Sequence, residues 1–212
     1  MNKIKPINFL IIFLIGISIF FIIDSKKVIG NLPDASPDPN TEDDIIIIPL
    51  SLHLINGSSE TYNTNRNEEN IIELVRNANI IWDQANILFI LEDIDTIEIK
   101  GSDINLIFSS GVGILTKRDD FDSGMINGYF MNSLNSNGIS FPPQGVFAVA
   151  DKTTVNDYRT LAHELGHLLG LAHVKERENL MFSGVNGEIL SDEEIIFARR
   201  NAKRVFNINN FN

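Results

Sequence analysis

Hydrophobic positions along the chain change their period several times, and each change marks an element. Ile7 to Ile23 is a nearly unbroken apolar run, softened by Asn8, Gly16 and Ser18 and preceded by Lys3 and Lys5. The run has no polar face, so it does not read as a core helix. Its length lies between the apolar core of an export signal and the ~20 residues of a spanning helix. No small-x-small cleavage site follows. Residues 1–27 therefore read as a signal anchor in preference to a cleaved signal peptide. The leading lysines keep the N-terminus inside, so the remainder is expected outside the cytoplasm, membrane-anchored by a single N-terminal helix through residues 7–23 or secreted. Residues 28–44 carry Pro33, Pro37 and Pro39 among acidic and polar residues and form an extended linker. The folded domain is expected over 45–212.

Within that domain, IIIIPLSLHLI (45–55) is β-branched and apolar, a strand ending at the turn pair Asn56-Gly57. Pro49 suggests an edge or a bulge. Ile71, Val75, Ala78, Trp82 and Ala85 then recur at steps of three and four, which predicts an amphipathic helix over 68–85, ended by Asn86. ILFIL (87–91) is a strand, with which TIEI (96–99) can pair. INLIF (104–108) reads as a buried strand. Residues 109–145 hold six glycines and two prolines and read as loop. VFAVA (146–150) is a strand, and Thr154 or Asn156 can cap the helix that follows. Ser191-x-x-Glu194 is a capping box opening a last helix to about Val205. The order predicts an α+β domain with a mixed sheet. No internal repeat is present.

Composition narrows the chemistry. The chain has no cysteine, which excludes disulfides, thiol nucleophiles and thiolate metal sites. A net charge of −11 argues against nucleic acid as a partner.

Three of the four histidines stand in HELGHLLGLAH (163–173). His163 and His167 are four apart on a helix, so both rings leave the same face one turn apart and can meet one zinc ion. Gly170 can take a left-handed conformation, stop the helix and turn the chain back. His173 then returns as a third ligand, leaving the fourth position of the metal open, as in catalytic zinc sites. Glu164 is offset from the ligand face and can take the proton of a water acidified by the metal. Lone His53, on the first strand, reads as a packing residue.

This stretch resembles the extended zinc signature of the metzincin metallopeptidases. NLMFSG (179–184) is similar to their methionine turn, with Met181 at a short, matrixin-like distance from His173. The resemblance spans about 45–205, with its sharp motifs confined to 163–184. It implies a zinc endopeptidase with His163, His167 and His173 as metal ligands, Glu164 as catalytic base, and Gly170 and Met181 as structural residues near the site. It also implies peptide or protein substrate lying extended along an edge strand, expected at Phe147–Ala150, and a specificity pocket walled by Val174–Leu180 and Phe182–Leu190. Phe182 and Leu190 there suggest a preference for an apolar side chain. The chain departs from the family in places. Without cysteine no cysteine switch can operate, and with only His53 left no second, histidine-rich zinc site can form. Val174 does not match the residues that mark the better-known subfamilies. The Met-Phe-Ser sequence lacks the tyrosine ligand of astacins and serralysins. Asp119, Asp120 and Asp122 form an acidic loop that could hold calcium, although EF-hand spacing is absent. Two other functions fit the residues: a non-catalytic zinc-containing surface binding module, and a zinc hydrolase of another amide.

Overall fold

A computed structural model describes residues 44–57, 60–104 and 112–206. The apolar run 7–23 and most of the linker lie outside them. Among the described residues no helix is long and apolar enough to cross a membrane.

The apolar first strand, β1 (Ile46–Asn56), lies inside the sheet. It pairs in parallel with β2 (Ile87–Glu98) on one side and with β3 (Ile126–Met131) on the other. The register slips between Leu50 and Ser51, just after Pro49. This is the bulge expected where a residue cannot donate to the ladder. β5 (Val146–Ala150) pairs in parallel with β3, and the short β4 (Gly138–Phe141) closes the sheet antiparallel to β5. The order is β2-β1-β3-β5-β4.

Four expectations change here. The segments 87–91 and 96–99 do not pair with one another; they are the two ends of the continuous β2. The acids between them, Glu92, Asp93 and Asp95, are tolerated because β2 is an outer strand with solvent beside it. Residues 101–104 are helical, so Ile104 is not in a strand, while 105–108 lie outside the described residues. Residues 126–131 and 138–141 are strands, although that region reads as loop. Finally, VFAVA is not an edge strand. β3 covers one of its edges and β4 the other, and all five of its residues are buried.

The α1 helix (Glu68–Trp82) is opened by an Asn67–Asn70 capping box and continues as a 3₁₀ turn, Asp83–Ala85. Asn86 ends it at φ 48°, the left-handed region that asparagine tolerates. α2 (Asp157–Leu168) carries the histidines and packs on α1. α3 (Asp192–Phe206) starts at the expected box: Ser191 N–H donates to Glu194 Oε2 at 2.8 Å, and Glu194 N–H to Ser191 Oγ at 3.3 Å.

The helices cover one face of the sheet. Leu52, Leu54, Phe130, Phe147 and Val149 face Trp82, Leu161, Leu165 and Ala198 across the main core. Ile55, Ile97, Tyr129, Met131 and Val146 form a second core on the opposite face. Each fully buried aliphatic or aromatic side chain contributes roughly 1.5–3 kcal/mol. His53 belongs to the polar part of this interior. It is fully buried, its Nδ1 lies 2.7 Å from Asp95 Oδ1, and its ring stacks on Tyr129 at 4.7 Å. It packs, as expected.

Candidate metal centre

α2 ends where Gly170 adopts φ +87°. Its N–H donates to His167 O at 2.9 Å, and Leu171 N–H to Gly166 O at 2.9 Å, the paired bonds of a Schellman stop. Asn201 of α3 donates to Leu169 O at 2.9 Å and satisfies a further carbonyl at this helix end. A Cβ on residue 170 would lie 2.5 Å from Asn201 Nδ2, so glycine is needed for space as well as for φ. The reversal brings His173 back beside the helix.

The Nε2 atoms of His163, His167 and His173 are mutually 3.1 Å apart. The other ring nitrogens show what this means. His163 Nδ1–H donates to Leu180 O at 2.8 Å, and His167 Nδ1–H to Leu171 O at 2.9 Å. In the neutral rings the Nε2 atoms of His163 and His167 are then acceptors, so these two nitrogens cannot hydrogen-bond to each other. Burial favours the neutral form: it pushes His163 down to about 4 and His167 below the usual histidine value. Lone pairs converging on one point require a cation. Zinc–nitrogen bonds of ~2.0–2.1 Å at tetrahedral angles separate the nitrogens by about 3.3 Å, which fits. Among the described residues this is the one cluster with metal-binding geometry.

The acidic loop does not gather its carboxylates. Asp120 pairs with Arg118 at 2.7 Å, Asp122 Oδ1 accepts Gly124 N–H at 2.7 Å, and Asp119 points to solvent. Two of the three carboxylates are engaged in their own loop, which gives calcium no support there.

Met181 is fully buried beneath α2, and a Cβ on Gly166 would meet its sulfur at 2.6 Å. Trp82 completes this floor, its indole Nε1–H donating to Ala162 O at 3.2 Å. Glu164 sits beside the triad, and burial raises its carboxyl to about 7, opposed by the Ser140 hydroxyl and by Arg159.

Ser140, on β4, is a residue that sequence reasoning missed. Its hydroxyl reaches both Glu164 O, at 3.0 Å, and Glu164 Oε2. Gly138 on the same strand leaves the room, since a Cβ there would lie 2.7 Å from Glu164 Oε1. A serine in a four-residue strand gives no sequence signal. Replacing Ser140 by alanine is expected to lower kcat by about tenfold, one charge-assisted hydrogen bond, with little change in KM. Threonine at this position keeps the hydroxyl and most of the rate. Steady-state kinetics on matched peptides checks this, and an unchanged kcat for the alanine variant would remove Ser140 from the site.

A groove of about 580 Å³ runs past the triad between β4, α2 and the loop at Ser183 and Gly184. Phe182 and Leu190 do not line it; Leu190 is buried in the main core. Arg159 lines it instead. The spacing that puts His163 and His167 on one face of α2 puts Arg159 there too, four residues earlier, and this signal was available in the sequence.

The family model of the matrixins matches residues 56–196. The chain belongs to the matrixin family. It is therefore a zinc metalloendopeptidase of metzincin type. Solved structures agree on the fold. Mature mirolysin of Tannerella forsythia, in complex with a cleaved peptide, superposes with a TM-score of 0.58 at 14% identity, covering 79% of this chain and 97% of that one. Archaemetzincin from Methanopyrus kandleri gives 0.53 at 14% identity, covering 74% and 96%. No curated protein sequence matches this matrixin significantly.

Proposed function

We propose that this matrixin hydrolyses peptide bonds outside the cytoplasm, with zinc held by His163, His167 and His173 and with Glu164 as general base. The observation that carries the reading is the convergence of three imidazole Nε2 atoms beside a buried carboxylate. Bound zinc supplies Lewis acidity, polarising a peptide carbonyl and acidifying water. Glu164 then takes the proton from the attacking water and returns it to the departing amine. Ser140 holds the carboxylate toward β4 during both transfers. Leu180 O and Leu171 O fix the His163 and His167 rings through their Nδ1–H groups.

Substrate lies extended along β4, which replaces Phe147–Ala150 as the strand that can be augmented. β4 is the outer strand on this side of the sheet, so its free edge can pair with a peptide backbone. The apolar run at 7–23 behind Lys3 and Lys5 supports export, as an anchor or a cleaved signal.

The test uses the full chain, stripped of metal with chelator and then reloaded with zinc. Cleavage of a mixed peptide library should vanish on stripping and return with zinc. Fractionation of expressing cells should find the chain in the membrane or the medium. One zinc per chain with no cleavage would favour the binding module. A folded chain that binds no zinc would overturn the ligand set, and a purely cytosolic chain the location.

A further inference from the structure

The groove contains a buried positive charge with no counter-ion beside it. Arg159 is 3% exposed. Its Nε donates to Gly187 O at 3.1 Å, and Nη2 to Leu180 O and to Phe182 O, the latter at 2.5 Å. All three acceptors are neutral main-chain carbonyls. Among the described residues Nη1 makes no hydrogen bond, and no carboxylate lies within 4.0 Å of the guanidinium. Two acids act on it through space, Glu164 and Glu188. Both are otherwise engaged, Glu164 by Ser140 and Glu188 by the Tyr158 hydroxyl at 3.0 Å.

A purely structural clamp on the 180–187 loop would be complete with Nε and Nη2. Neutral residues could bridge carbonyls without the cost of burying a charge. What the guanidinium adds is a third nitrogen, Nη1, on a residue that lines the groove, and a guanidinium suits a carboxylate. Arg159 lies one helical turn before His163, so a side chain that reaches it belongs to a residue bordering the bond at the triad.

We propose that Arg159 makes the groove selective for peptides with aspartate or glutamate next to the scissile bond, its Nη1 receiving the carboxylate. This rests on the peptidase reading above and adds the class of side chain taken.

The test compares peptides that differ only in glutamate, glutamine or leucine at each position flanking the cleaved bond, using the zinc-loaded full chain. Binding of the same peptides is measured on the Glu164→Gln variant, which does not need turnover. Arg159→Met removes the charge at similar bulk, and Arg159→Lys keeps the charge without the fork. Melting and zinc stoichiometry report whether each variant is folded. The expected result is a preference of about tenfold in kcat/KM for glutamate over glutamine at one flanking position, the worth of a charge-assisted bond. Arg159→Met should abolish it and Arg159→Lys should keep part of it. A wild-type chain that favours leucine, or treats glutamate and glutamine alike, overturns the proposal. If Arg159→Met does not fold, the wild-type ratio alone decides. If nothing is cleaved, the peptidase reading fails, and the binding ratio still decides on Arg159: a glutamate preference keeps it and equal binding overturns it.

Discussion

Glu164→Gln will leave a folded protein that still binds zinc and cuts peptides about 10²–10⁴ times more slowly. The substitution is nearly isosteric, so the close packing against Gly138 persists. The Ser140 hydroxyl can still donate, now to the amide oxygen. What disappears is the capacity to accept a proton and hand it on. Burial raises the carboxyl to about 7, the direction that makes it a better proton acceptor. The variant should show the loss in kcat, with KM close to that of the parent and zinc stoichiometry unchanged. Stopped peptide assays beside metal analysis measure both quantities. A variant retaining a tenth or more of the parental rate would transfer the base role to another group.

Trp82→Ala should cost about 3–5 kcal/mol of stability, the range for emptying a large aromatic site. Trp82 is fully buried, meets Phe89 edge-on at 5.8 Å and donates to Ala162 O on the histidine helix. The alanine variant therefore opens a cavity and removes the indole bond to α2. Melting of the zinc-loaded full chain should drop by on the order of 10 °C, and zinc should bind more weakly because the floor under His163 and His167 loosens. Trp82→Phe, which keeps most of the volume, should lose much less. A loss below about 1 kcal/mol for alanine, the size of an ordinary surface change, would mean that α2 does not depend on this support.

The triad, its neighbouring acid and the glycine that ends the helix were legible because they are local. Their geometry follows from a helical turn and one left-handed residue, so spacing alone encodes it. The helices and β1 were legible for the same reason. β3 was not, because INGYFM looks like a turn at Asn127-Gly128. In the fold that glycine stands where the Phe147 ring and Leu52 press onto the strand; a Cβ there would lie 2.2 Å from the ring. The glycine is a packing device between non-local partners, and no local pattern announces it. β4 was hidden by its length, and with it the identity of the open edge. VFAVA was assigned that edge since an apolar strand before the zinc helix has the right position in the chain. Only the pairing with β4 shows that its edge is already taken. Arg159 is the intermediate case: its face was readable, its acceptors were not, for they come from the loop at 180–187.

The order of parts along the chain has a consequence for biosynthesis. β1, β2 and β3 end at Met131, whereas apart from Trp82 in the floor every group placed at the site comes later: Ser140, Arg159, the histidines up to 173, Met181, and Asn201 closing on Leu169. A ribosome delivers these three strands first and the histidine triad after them. A chain interrupted before His173 is thus a scaffold that lacks the third histidine, and the triad can be assembled only after the strands that support it have been made.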